Sequence, residues 1–318
     1  MKRLTRILFV TDIHGSTPVF MKALGAASLY KAEVLIHGGD IIGKYLIPFF
    51  KSNGDVETEI MGSKRVLKSD SEVQAAEAEV SRIGAYPFYT TPDEWRGLLQ
   101  KPDSMTERFV SLAEKRLKSW VETAEQKLKP LNIKIFLNIG NDDYKSVAKV
   151  IEDSNYVVFP NKKIVMVDEE HELLSLSNTN ITPWACEGDL EEKDLLEILD
   201  ELSSKLEHPE RAIVSLHCPP IDTKLDVAPR LDSKLRPVYL PGGDPQMIHV
   251  GCSAVRALIE RIQPLVGLHG HIHESRAVEK IGRTTCFNPG SEYAVGLLSS
   301  LLLNLSKDKV ESFMFMSG

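Results

Sequence analysis

The 318-residue chain is poor in cysteine, has no excess of basic charge and carries no long uninterrupted apolar run. Its four cysteines, Cys186, Cys218, Cys252 and Cys286, form no C-x-x-C pair. That excludes a zinc knuckle or a thioredoxin-type motif and reads as scattered reduced thiols rather than a disulfide framework. The longest apolar stretch near the C-terminus, Ala294 to Leu305, is broken by Ser299, Ser300 and Asn304. It is too short and too polar to span a bilayer. Met1-Lys2-Arg3-Leu4 leads straight into a strand-like stretch, with nothing that resembles a signal peptide, so the expected location is cytoplasmic and no membrane partner is expected. The 38 Lys and Arg are outnumbered by 45 Asp and Glu, a formal charge of −7. This argues against a broad basic surface for nucleic acid. No solenoid repeat or low-complexity segment is present.

What is there reads as a globular chain of 42% hydrophobic and 26% charged residues, long enough for a large core. Residues 4–10 form an apolar strand pattern that ends in Thr11-Asp12-Ile13-His14-Gly15. A helix is expected over 17–30, with Thr17 as N-cap and Pro18 at the first helical position. A strand over Glu33 to His37 runs into Gly38-Gly39-Asp40. This β-α-β unit puts polar residues at strand C-terminal ends, where open α/β sheets bind ligands.

The pattern breaks over 44–130. A hairpin is expected over Asp55 to Leu67, a helix over Asp70 to Ile83, and a long amphipathic helix over Met105 to Leu128, stopped by Pro130. The block is read as a mainly helical insertion, a cap that restricts substrate size or builds a homo-oligomer contact, within one domain spanning 1–318. Strands are expected again at 133–137, 156–159, 164–168, 172–177, 212–216 and 265–268. Helices are expected at about 143–152, 189–206 and 252–262, with a long loop at 219–245. Three strands, about 276–287, 293–305 and 309–315, close the chain.

Five segments share one design: an apolar strand, then a tight polar turn carrying Asp, Asn or His. They hold Asp12 and His14, Asp40, Asn141, His217, and His271 with His273. Each alone has an ordinary structural explanation, such as a capping carboxylate or a packed imidazole. Together, at one edge of a sheet, seven such groups would repel or stay unsatisfied without cations. Two divalent ions bridged by one carboxylate resolve this.

The order Asp12-Ile13-His14, Gly39-Asp40, Gly140-Asn141-Asp142-Asp143, His217, Gly270-His271-Ile272-His273 resembles the calcineurin-like metallophosphoesterase superfamily, in its cyclic-nucleotide-phosphodiesterase-like branch. Asn288-Pro289-Gly290-Ser291 is similar to the turn that follows the family's last ligands. The resemblance covers roughly residues 4–42 and 131–305. It implies an α/β fold, a four-layer α/β/β/α sandwich of two mixed sheets. It implies that Asp12, His14 and His273 bind one metal, that Asn141, His217 and His271 bind a second, and that Asp40 bridges them. The ions implied are Mn²⁺, Fe²⁺, Zn²⁺ or Co²⁺, with Mn²⁺ the first choice for reconstitution. Hydrolysis of a small phosphoester is implied, by a phosphodiesterase or phosphatase whose nucleophile is a hydroxide shared by the metals. The catalytic positions expected are Asp40, Asn141 and Asp142.

One departure matters. Many relatives have histidine where this chain has Asp142, and a carboxylate beside two cations stays ionised and is a poor general acid. Good leaving groups or another proton donor are therefore expected. Two other readings remain: a nuclease of the same superfamily, which needs a basic track toward the metals, and a non-catalytic metal-binding module on the same fold. His37 and His269 are candidates for orienting the ligands, Asp143 for a helix cap, and Trp184 for either the substrate mouth or the core. His249 has no role assignable from sequence.

Overall fold

The computed structural model describes residues 4–52 and 54–318. Met1 to Arg3, on which the leader expectation turned, lie outside the described residues. In chain order the strands are β1 (Thr5–Val10), β2 (Val34–His37), β3 (Leu46–Ser52), β4 (Asp55–Ile60), β5 (Ser63–Leu67), β6 (Tyr86–Thr90), β7 (Lys134–Leu137), β8 (Ile164–Met166), β9 (Glu172–Leu176), β10 (Thr179–Asn180), β11 (Asp189–Leu190), β12 (Ile213–Leu216), β13 (Val227–Pro229), β14 (Met247–His249), β15 (Val266–Leu268), β16 (Ala277–Ile281), β17 (Thr284–Asn288), β18 (Ser299–Ser306) and β19 (Lys309–Ser317). The helices are α1 (Thr17–Leu29), α2 (Asp70–Arg82), α3 (Pro92–Leu99), α4 (Pro102–Leu128), α5 (Ala148–Glu152), α6 (Glu192–Ser203) and α7 (Ser253–Ile262).

Two mixed sheets carry the fold. The first runs β19-β18-β1-β2-β7 and the second β16-β17-β15-β12-β9-β8. In the first, β1, β2 and β7 are parallel, with Val10, His37 and Leu137 in register at their C-terminal ends. In the second, β9, β12, β15 and β17 are parallel. Successive strand side chains point to opposite faces, and here both faces are apolar. Leu8, Val10, Leu35, Ile135 and Leu137 join one core with Phe20 and Leu24 of α1 and Leu117 and Trp120 of α4. Their neighbours Ile7, Phe9, Val34, Ile36 and Phe136 join a second core with Leu173, Ile213, Leu268 and Phe287 of the other sheet. On that sheet's far face, Leu174, Leu176, Val214 and Leu216 meet Leu195 and Leu199 of α6 and Val255 and Leu258 of α7. The α/β expectation holds, and the apolar strand runs pack on both faces.

Segment 44–130 contains the expected hairpin (β4, β5) and helices, but also a four-stranded sheet, β5-β4-β3-β6. Its own core joins Phe49, Val56, Ile60 and Leu67 to Ala76 and Val80 of α2. Helix α4 packs on the main core rather than that small one: Trp120 stacks on Phe20 of α1, with ring centroids 4.5 Å apart. Other expectations need correction. No strand forms at 156–159, where Val158 makes a single bridge to Phe136. The 276–287 strand is a hairpin, β16 and β17, turned at Gly282. Helix α6 starts at Glu192, because Asp189 and Leu190 pair with Thr179 and Asn180. Part of the expected long loop is the ribbon β13–β14. Ser16, not Thr17, is the N-cap of α1. Among the described residues no helix is long and apolar enough to cross a membrane.

At the end of the sandwich where β1 begins, Asp168 accepts hydrogen bonds from Thr5 Oγ1, from the Glu170 and His171 amides at 2.8 Å and from His171 Nδ1 at 2.7 Å. His171 Nε2 lies 3.3 Å from the Ser306 carbonyl of β18. Burial raises the Asp168 pKa, but the His171 and Thr5 hydrogen bonds outweigh it and hold the carboxyl well below the usual range. A depressed folded-state pKa contributes stability above the unfolded value that is lost as pH falls. Asp168→Ala should therefore cost about 1–3 kcal/mol at neutral pH and lose most of that effect in acid. Urea midpoints of both proteins at neutral and acid pH check this.

Candidate metal centre

The candidate ligand residues sit where parallel strands end. Asp12 and His14 follow β1, Asp40 follows β2, Asn141 follows β7, His217 follows β12, and His271 and His273 follow β15. The two sheets pack so that all these ends meet. Asp12, His14, Asp40, Asn141 and His217 are each at most 3% exposed. Asp12, Asp40, His14 and His271 adopt positive φ, at 54°, 54°, 39° and 66°. Such left-handed residues are strained unless the surroundings hold them, and the strain clusters at functional sites.

Six of the seven residues expected from sequence, Asp12, His14, Asp40, His217, His271 and His273, are brought together in two groups, and Asn141 is buried at the end of β7 beside them. His14 Nε2 and His273 Nε2 face each other at 3.1 Å, and His273 Nε2 is 3.5 Å from Asp12 Oδ1. His217 Nε2 is 3.3 Å from Asp40 Oδ1, while Asp40 Oδ2 is 3.5 Å from His14 Nε2. Asp12, His14 and His273 each offer a ligand atom within 4.8 Å of the others, as do Asp40, His217 and His271. Metal–ligand bonds of about 2.0–2.2 Å put neighbouring ligands of one ion roughly 3.0–3.6 Å apart. These groups can therefore hold cations without large movement. The buried atoms His14 Nδ1, His217 Nε2 and Asn141 Oδ1 have no hydrogen-bond partner. Unpartnered buried polar atoms are costly, and a bound ion would complete His217 Nε2 and Asn141 Oδ1.

The supporting contacts aim the ligands. His217 Nδ1 donates to the Gly38 carbonyl at 3.2 Å, leaving Nε2 to face inward. Asn141 Nδ2 donates to Asp189 Oδ1 at 2.9 Å, which fixes the amide and leaves its oxygen buried without a partner. Asp189 is itself fixed by the Thr182 amide, Thr182 Oγ1 and the Cys186 amide. The Asp12 carboxylate accepts from Thr11 Oγ1 at 2.7 Å and from the His271 amide at 3.0 Å. Ser291 Oγ donates to the Asp12 carbonyl at 2.6 Å, and Asn288 Nδ2 to the Ile272 carbonyl at 2.9 Å, so the Asn288–Ser291 turn holds the last ligand loop. Gly140 and Gly270 give the carboxylates room. A Cβ on Gly140 would lie 1.9 Å from Asp40 Oδ1, and one on Gly270 would lie 2.3 Å from Asp12 Oδ2.

Asp143 is not a helix cap. It accepts from the Gly140, Ile41 and Ile42 amides at 2.7–2.9 Å and so staples the turn after β2 to the turn after β7. His37 and His269 are fully buried. His269 Nδ1 donates to the Leu216 carbonyl at 2.9 Å, beside the strand end that carries His217. His249 Nδ1 is bound to the buried Asp226 at 2.8 Å, and Asp226 also accepts from the Gly251 and Thr223 amides. Trp184 is 60% exposed, which removes it from the core. Sequence reasoning missed Asp189, whose partner lies 48 residues away, and Lys44, whose ammonium is 2.8 Å from Asp142 Oδ2.

The charges are interdependent. Burial favours neutral forms throughout, yet Asp12 is held well below the usual carboxylate range by His217 and His273. Asp40 is likewise held down by His217 and His14. Burial pushes the His217 pKa down, but Asp40 and Asp12 push it up to about 9. Burial and the charge on His217 depress His271 to about 4.

No protein-family profile matches the chain. Over 152 residues it is 28% identical to the uncharacterised protein MJ1162 of Methanocaldococcus jannaschii, a stretch covering 47% of this chain and 61% of that protein. The fold is similar to that of TT1561 of Thermus thermophilus, with a TM-score of 0.51 and 12% identity over 96% of this chain and all of that one. Another crystal structure aligns with a TM-score of 0.56 and 15% identity over 99% of both chains. At these identities the likeness is one of fold.

Two outcomes follow from the geometry. A cation needs His217 neutral, so protons compete with it below about pH 9, and metal affinity should climb from neutral pH toward that value. Calorimetry in buffers of different ionisation enthalpy should show proton release on metal uptake. Asp189→Ala frees the Asn141 amide to rotate and should weaken one bound ion about 10- to 100-fold with the other retained. Metal titration of the two proteins decides it.

Proposed function

We propose that the chain is a two-metal phosphoesterase of the calcineurin-like metallophosphoesterase superfamily, acting on a small phosphoester. The observation that carries this is the Asp40 carboxylate, whose two oxygens face different histidine groups, His217 on one side and His14 on the other. A buried carboxylate so placed is suited to bridge two ions. On this reading Asp12, His14 and His273 hold one ion, and Asn141, His217 and His271 hold the second. When bound, the cations supply Lewis acidity toward phosphoryl oxygens and lower the pKa of a water.

The chain's own residues position and shield. Asp40 sets the spacing of the two ligand groups. Asp189 aims Asn141, and Gly38 aims His217 through their hydrogen bonds. Asp142 sits at the mouth with its amide donating to Asp40 Oδ1 at 3.2 Å, so its backbone is tied to the bridging carboxylate. Its half-exposed side chain has the charge to repel an anion rather than to donate a proton. That supports substrates with good leaving groups.

The small sheet of segment 44–130 joins the body next to this mouth. Arg116 of α4 donates to the Gly15 and Ala85 carbonyls, both at 2.8 Å, and Ser16 Oγ donates to the Arg82 carbonyl at 2.7 Å. A folded unit fixed beside the ligand turns supports a restricted substrate more than a polynucleotide.

Stripped protein given Mn²⁺ should hydrolyse bis-p-nitrophenyl phosphate or p-nitrophenyl phosphate, and Asp40→Ala should lose at least about a hundredfold in rate. The ratio of the two rates distinguishes phosphodiesterase from phosphatase. Two bound ions with no turnover on either ester, for any of Mn²⁺, Fe²⁺, Zn²⁺ and Co²⁺, would favour a non-catalytic module instead.

A further inference from the structure

Asp142 poses an electrostatic problem at the mouth of the site. An ionised carboxylate there repels any phosphoryl group that approaches the ligand cluster. The structure places a cation on it: Lys44 Nζ is 2.8 Å from Asp142 Oδ2. The same oxygen is 3.9 Å from His14 Nδ1, so the pair borders the Asp12, His14 and His273 group. Both side chains reach solvent, Lys44 at 42% and Asp142 at 32% exposure.

Lys44 is not on a loose arm. Its neighbours on both sides are tied to one tyrosine: the Gly43 amide donates to Tyr86 Oη at 2.8 Å, and the Tyr86 amide donates to the Tyr45 carbonyl at 3.1 Å. From Leu46 onward, β3 pairs with β6. Tyr86 is in turn covered by the Arg116 guanidinium, 4.0 Å from its ring centroid. An ammonium has three N–H groups. Asp142 takes one, and Lys44 has no other hydrogen-bond or ion-pair partner among the described residues.

We propose that Lys44 contacts the phosphoryl oxygens of the substrate and that Asp142 is the positioning residue that holds its ammonium at the mouth. This rests on the phosphoesterase reading above. The pair replaces a lone negative charge with a neutral unit whose free N–H donors face incoming anion. A charge-assisted hydrogen bond to a phosphoryl oxygen is worth more than a neutral one. Lysine serves here as a compact point charge that a rigid backbone segment delivers.

The test uses full-length protein loaded with Mn²⁺, orthophosphate as the probe, calorimetry for affinity and elemental analysis for metal content. Lys44→Met should keep the wild-type metal content and weaken orthophosphate binding about 10- to 100-fold. Lys44→Arg should recover part of the loss, which a purely structural role would not give. In the Lys44→Met background, Asp142→Asn should tighten phosphate binding, since only repulsion is left there, while in the wild-type background it should not. Unchanged phosphate affinity in Lys44→Met overturns the proposal. So does loss of an ion in Asp142→Asn, which would make Asp142 a ligand and Lys44 its counter-charge. If wild-type protein with two ions binds no phosphate, the phosphoesterase reading itself fails. That result is separate from a wild type that binds phosphate and a Lys44→Met protein that binds it equally well.

Discussion

Asp40 is 3% exposed, and its oxygens lie 3.3 Å from His217 and 3.5 Å from His14, which together hold its carboxyl well below the usual carboxylate range against the effect of burial. Burying a carboxylate costs several kcal/mol unless opposite charge and hydrogen bonds offset it. Here the offset comes from His217, whose pKa Asp40 and Asp12 push up to about 9 against the effect of burial, and from the Asp142 amide. Everything near Asp40 is shaped by this constraint. Gly140 must lack a Cβ so that Asp40 Oδ1 can occupy its space. Asp40, Asp12, His14 and His271 take left-handed backbone conformations, each costing on the order of 1–3 kcal/mol. Such strain persists only where the surroundings over-determine it.

The surroundings here are two sheets packed face to face. The core of Phe9, Ile36, Ile213, Leu268 and Phe287 fixes the sheets against each other. The parallel strands β1, β2, β7, β12 and β15 thus bring their C-terminal ends to one end of the sandwich. One sheet supplies Asp12, His14, Asp40 and Asn141, and the other supplies His217, His271 and His273. A centre split between two sheets exists only while the interface between them is intact. The Asp168–His171 clasp serves that need from the opposite end, since it ties the β8–β9 turn of one sheet to Thr5 and Ser306 of the other.

Much of this was legible in the sequence, because it is local. An apolar run followed at once by Asp, Asn or His announces a buried strand that ends in a polar turn. All five such places in the chain are strand ends at the cluster. The same runs read as apolar strands, and the structure packs both of their faces. What was not legible depends on partners far along the chain. Asp189 was read as the start of a helix, yet it pairs with Thr179 and orients Asn141. Asp143 fits a helix-cap pattern, but its carboxylate goes to amides about a hundred residues earlier. Lys44 follows Gly43 in what looked like the first residues of an unrelated insertion. The strand at 156–159 failed because only Val158 finds a partner there. The small sheet was missed because β3 and β6 are separated by a hairpin and a helix, and parallel pairing leaves no local turn signal.

On the proposed reading, the carboxylate at position 142 shifts the task at the mouth of the site to other residues. The Cys186 thiol lies 3.6 Å from Asp142 Oδ1, and burial with the charge of Asp142 pushes its pKa up to about 12. It stays protonated and is neither a nucleophile nor a charge to be balanced. Asp142 is therefore left with one cationic partner, Lys44. A carboxylate and an ammonium bound to each other offer a fixed positive end but no group poised near neutrality, as an imidazole would be. On the proposed reading, such a mouth steadies negative charge on the phosphoryl group and does little to protonate a departing alkoxide. The chemistry then falls to esters whose leaving oxygen is stable without a proton, such as phenolates and phosphates.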